Sequence, residues 1–131
     1  MIHREKLTEI AQARIRDADI LLASGRHDSA VYLCGYAIEL ALKTRICQTL
    51  SWKGYPSTNA DFRSYQSFKT HDLDVLLHLT GREERIKTNL FTEWSIVAAW
   101  NPEARYERVG TVSKADAQAM LSAAKKVAKG I

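Results

Sequence analysis

The chain has 131 residues, 46% of them hydrophobic, with nineteen Lys and Arg against fifteen Asp and Glu for a formal charge of +4. That size and composition fit one globular domain, residues 1–131, with one core, and exclude a disordered or fibrous chain. The mild basic excess permits an anionic partner without demanding one.

The N-terminal segment MIHREKLTEI lacks the apolar stretch of a signal peptide, and no window has the length of apolar sequence that spans a bilayer. A cytoplasmic protein without membrane association is the expectation. Cys34 and Cys47 lie thirteen residues apart on one predicted helix. At 1.5 Å per residue that is roughly 20 Å, too far for an intrachain disulfide, so both are read as reduced thiols.

The pattern predicts an all-α fold, a four- to five-helix up-and-down bundle. The first helix runs from Arg4 to Ser24, with Leu7, Ala11, Ala18, Leu21 and Leu22 at helical spacing and Gly25 at the C-terminal cap. The second, from Asp28 to Leu50, is apolar almost all round and belongs at the centre of the bundle. The short connection makes the two an antiparallel hairpin. On the second helix Tyr32, Gly35, Tyr36, Glu39, Lys43 and Ile46 share one face. Glu39 in such surroundings requires a partner. Lys43, one turn on, is the local candidate, and Arg14 on the first helix is another.

A segment of nineteen residues, SWKGYPSTNADFRSYQSFK, follows. Its Trp52, Tyr55, Phe62, Tyr65 and Phe68 interleave with Lys53, Arg63 and Lys69, a pairing that binds single-stranded nucleic acid. The competing and favoured reading folds these rings back over the bundle or onto a dimer surface. A short third helix is expected with Thr70 as its N-cap, Leu73, Leu76, Leu77 and Leu79 facing inward, and Gly81 at its end. A fourth runs from Arg85 or Asn89 to Trp100 and stops at Asn101-Pro102. The last opens at Ser113-Lys-Ala-Asp116 and buries Ala117, Met120, Leu121, Ala124 and Ala128.

Candidate chemistry is sparse. His71, Asp74 and His78 follow one another at helical spacing, but two full turns separate the outer pair, so they cannot share one ion, and no metal is expected. The six glycines are scattered singly, without a phosphate-binding loop, and no cofactor is expected. Arg14, Glu39 and Lys43 read in two ways. As structure they fix the register of the first hairpin. As function they line a cleft between helices, where Arg105 and Tyr106 add a guanidinium and a stacking ring for a nucleotide.

Three stretches carry a family resemblance: ARIRDADILLASGRHDSAVYLCGYAIELALKTRI, THDLDVLLHLTG and WNPEARYE. Together they resemble the HEPN family of small α-helical domains. The resemblance implies a helical bundle that dimerises, a toxin–antitoxin or defence setting, and a small nucleotidyltransferase as neighbour and partner. In ribonuclease members of that family an Arg is followed, after about four to six residues, by a His, and paired sets do metal-independent acid–base chemistry on a phosphodiester. In this chain the Arg nearest before His71 is Arg63, with seven residues between. No catalytic residue carries over.

The reading is therefore a non-nucleolytic HEPN-like homodimer that binds a nucleotide, RNA or a partner nucleotidyltransferase, with Arg14, Glu39, Lys43, Arg105 and Tyr106 as its binding residues. One alternative is a ribonuclease toxin with a non-standard set of Arg63, His71 and Arg105. The other is a purely structural dimerisation module.

Overall fold

A computed structural model describes residues 1–131 and gives seven α-helices with one two-stranded ribbon. The fold is all-α. Helix α1, Arg4–Ala23, buries Leu7, Ala11 and Ala18. It ends in a Schellman turn: Arg26 N–H donates to Leu21 C=O, and Gly25 N–H donates to Leu22 C=O. Gly25 has φ +77°, which a side chain would resist, and this fixes the tight turn into α2.

Helix α2, His27–Thr49, buries residues on every side, from Ala30 through Cys34, Ile38, Leu42 and Ile46 to Cys47. It packs most heavily on α1 and then on the last helix, so it is the axis of the bundle. Its end repeats the Schellman pattern, with Trp52 N–H on Cys47 C=O, but Ser51 occupies the left-handed position at φ 56°.

The segment after α2 is ordered rather than a bare loop. Gly54–Tyr55 forms strand β2 and pairs antiparallel with β1, Ile2–His3. Strands of two residues carry no alternation, which is why the sequence gives no sign of them. A one-turn helix α3, Asn59–Phe62, starts in a capping box between Thr58 and Asp61. The rings of Trp52, Tyr55, Tyr65 and Phe68 pack on one another with centroids 5.0–6.2 Å apart. They close over one end of the bundle, which is the fold-back alternative and not a row of free stacking platforms.

Helix α4, Leu73–Leu79, starts two residues later than Thr70 as N-cap suggests. Asp72 is its N-cap and accepts from Asp74 and Val75 N–H, while Thr70 accepts from Asp72 N–H. The expected fourth helix is two helices, α5, Glu83–Asn89, and α6, Phe91–Ala98. The break is at Leu90, with φ −131° and ψ 39°, and the turn seats the Leu90 side chain against Gly130.

Trp94 of α6 is 3% exposed in the core, with its indole N–H on Asp74 Oδ1 at 2.9 Å. It therefore cannot form the centre of an interface. Helix α7, Lys114–Gly130, begins with Ser113 accepting from Asp116 N–H and closes the core through Met120, Leu121, Ala124 and Val127. Ala128, expected inside, is exposed. No helix is long and apolar enough to cross a membrane.

Candidate functional site

Helix periodicity puts Tyr32, Gly35, Glu39 and Lys43 along one side of α2. At its centre Glu39 is 3% exposed. Its Oε2 accepts from Lys43 Nζ at 3.1 Å, and its Oε1 lies 2.8 Å from His71 Nδ1. The carboxylate thus has both oxygens engaged, as a buried charge requires. Lys43 reaches onward over the Tyr55 ring, 5.2 Å from its centroid. Tyr55 is buried, its hydroxyl donates to Phe68 C=O at 2.7 Å, and burial pushes that hydroxyl's pKa up.

His71 is two-thirds exposed at the start of α4. With Nδ1 held by Glu39, its Nε2 is the ring nitrogen left over. Nothing in the sequence pairs it with Glu39, because the partners are thirty-two residues apart and join only when the aromatic segment folds back.

Arg14 does not meet Glu39. Its Nε lies 3.0 Å from Asp17 Oδ2 on its own helix, close enough for an ion pair but not aligned as a hydrogen bond. Of the predicted trio, the structure joins Glu39 and Lys43 and leaves Arg14 apart.

Arg105 and Tyr106 come from a 3₁₀ turn, Pro102–Tyr106, that follows α6. The Arg105 guanidinium lies 4.7 Å from the centroid of the Tyr106 ring, which is 73% exposed. Beside them opens a cleft of about 510 Å³ lined by Arg26, His27, Tyr32 and Arg105. Asp28, at the start of α2, holds the far side of this loop by accepting from Gly110 and Val112 N–H, the latter at 2.8 Å. Those two bonds keep the Asp28 carboxyl below its usual range. Tyr32 is one turn-pair from Glu39, roughly 10 Å along the helix axis. The cleft and the Glu39 cluster are therefore neighbours on one face of α2.

The remaining candidates separate. His78 Nδ1 pairs with Glu83 at 2.8 Å, and Asp74 serves Trp94, so His71, Asp74 and His78 have three different partners. Arg63, just after α3, makes no ion pair.

A family model for the HEPN domain matches residues 4–59, which take in α1, α2 and strand β2. The family likeness read in the first hairpin is thus found independently there, and the match ends before THDLDVLLHLTG and WNPEARYE. No curated protein and no solved structure matches the chain.

Proposed function

We propose that this HEPN-like bundle, acting as one domain over residues 1–131, binds single-stranded RNA or a nucleotide without cleaving it. The observation that carries the reading is the Arg105–Tyr106 pair, a guanidinium on an exposed ring at the mouth of a cleft. Exposed rings next to cations take unstacked bases and the adjoining phosphate. The loop that presents them is anchored by Asp28, so little ordering is left for binding to do. Glu39 and Lys43 act behind this surface by holding the neighbouring face of α2. The HEPN match supports a nucleotide- or RNA-related role.

The test is fluorescence anisotropy of a labelled single-stranded RNA. Tyr106→Ala should weaken binding by about 1–3 kcal/mol, the usual worth of one stacked base. Unchanged affinity in Tyr106→Ala and Arg105→Ala would remove this reading. The family likeness adds a homodimer, a partner nucleotidyltransferase and a cytoplasmic toxin–antitoxin or defence setting, which copurification with adjacent gene products would test. Phe91, 68% exposed, and Val109, 93% exposed, are apolar side chains that such an assembly would cover.

A second reading, ribonuclease activity, is favoured by one observation: Glu39 orients His71 as an acid orients a general base. Arg105 belongs to the other end of this face, so the set Arg63, His71 and Arg105 does not act as a unit. RNA cleavage in chelator that is lost in His71→Ala would establish this reading over the first.

A further inference from the structure

Between the end of α6 and the first turns of α7 lies a groove of about 540 Å³. Helical spacing sets its two walls. Ile96, Ala99 and Trp100 follow one another at three and four residues on one side, and Asp116 and Met120 lie four apart on the other. Pro102 prevents α6 from continuing, so the chain turns there and the segment after it lends Glu103 and Glu107 to the lining.

The charge on this groove is of one sign. Glu103, Glu107 and Asp116 line it, and no Lys, Arg or His does. None of the three carboxylates has a cation within ion-pair distance. Arg105 is near enough to feel the charge of Glu103, but its guanidinium sits over the Tyr106 ring and donates to Pro102 C=O at 3.2 Å. In a chain of formal charge +4, three unpaired carboxylates around one concavity run against the average. Apolar surface stays open beside them, since Ile96 is exposed and Trp100 is only partly covered. Folding therefore gathers repelling charges around an uncovered apolar floor, an arrangement that a cationic, apolar-faced occupant relieves.

We infer that this groove docks a basic amphipathic helix of a partner protein, its apolar row laid on Ile96 and Trp100 and its flanking Lys or Arg side chains meeting Glu103, Glu107 and Asp116. Charge complementarity selects the occupant. Exposed ion pairs are individually weak, so a small molecule with one or two charges gains little at this rim. A helix carries several cations on one rigid element and covers the floor with the apolar residues between them. Ala99, between Ile96 and Trp100, leaves the depression that takes one large side chain of that row, as ridges enter grooves where helices pack. The docking does not depend on the Arg105–Tyr106 surface, because Glu103 and Asp116 line this groove and not the Arg105 cleft.

The experiment is fluorescence anisotropy of the full chain with a labelled helical peptide of Leu, Ala and Lys, its leucines on one face and its lysines flanking them. The controls are the same residues in scrambled order, the same pattern with Glu in place of Lys, and spermidine as a competitor. Saturable binding of the patterned peptide at micromolar concentration, at least tenfold tighter than the scrambled one and weakening as salt rises, is the expected result. In the double variant Glu103→Gln and Asp116→Asn, affinity should fall at least tenfold with the melting temperature unchanged. Ile96→Ala, at an exposed position, should also weaken the patterned peptide. Tyr106→Ala should keep the parent's affinity for it. Absence of saturable binding at millimolar concentration, equal affinity for the scrambled or the Glu-bearing peptide, or displacement by spermidine at the peptide's own concentration would each overturn the inference. So would unchanged affinity in the double variant or lost affinity in Tyr106→Ala.

Discussion

The Glu39 carboxylate is almost wholly buried, and the His71 ring that it holds at 2.8 Å is two-thirds exposed. The pair connects the centre of α2 to the molecular surface through a single contact. Lys43, 15% exposed on its other side, completes the arrangement.

That asymmetry ranks the effects of truncation. Lys43→Met leaves a buried carboxylate with one neighbour and should cost about 3–5 kcal/mol, as broken buried pairs do. Glu39→Gln keeps the shape and leaves Lys43 a route to water, so about 1–3 kcal/mol is expected. His71→Ala exposes one carboxylate oxygen to solvent and should cost the least. Urea unfolding of the three variants checks this order, and a larger loss in Glu39→Gln than in Lys43→Met would contradict it.

Gly35 lies directly under the Trp100 ring, and a Cβ there would come within 2.1–2.3 Å of the indole carbons. Alanine is the better helix former by about 1 kcal/mol, so on propensity alone Gly35→Ala stabilises α2. Here the clash decides the sign. The indole must leave its place beside Tyr32, 6.0 Å away, and a net loss of about 1–3 kcal/mol should follow with a red-shifted Trp emission. An unchanged or higher melting temperature would show that the ring moves freely.

Asp28 ties the 107–112 segment to α2, and its carboxyl is held below the usual range by the Gly110 and Val112 amides. A depressed carboxyl contributes stability that is present above its unfolded pKa and disappears as pH falls through its folded one. The anchor should therefore be intact at neutral pH and be lost below the ordinary carboxylate range. Protection of the Gly110 and Val112 amides, exchange taken relative to the intrinsic rate at each pH, should fall on that acid side, and Asp28→Asn should show faster exchange already at pH 7. Equal exchange in both proteins at pH 7 would deny the anchor.

Both thiols are fully buried, and burial pushes Cys34 up to about 12 and Cys47 up to about 11. At pH 8 the thiolate fractions are then on the order of 10⁻⁴ and 10⁻³. Neither should react with a thiol reagent at a rate above that of global opening. Rapid labelling of either in native buffer would show a more accessible site than the fold provides.

The local rules carried the helices well where one residue type decided the outcome. Gly25 marked the turn between α1 and α2, and Ser113 the start of α7, because cap chemistry acts over three or four residues. The break at Leu90 was not legible, since leucine favours helix and only its seat against Gly130, forty residues away, selects the turn. At the candidate site, burial and pairing of Glu39 with Lys43 followed from spacing on one helix. Its contact with His71 did not, because it depends on how Trp52, Tyr55 and Phe68 fold the intervening segment.

Helix α2 has no idle side. It carries buried core residues around most of its circumference and the Glu39 cluster on the side that meets His71. Random mutagenesis screened for folded protein should therefore find α2 the least permissive stretch of the chain, with tolerated changes confined to its ends, at Ser29 and Gln48. Sequence drift would then accumulate on α1 and α7 instead, so that lineages of this protein diverge in what they recognise while keeping the same central rod.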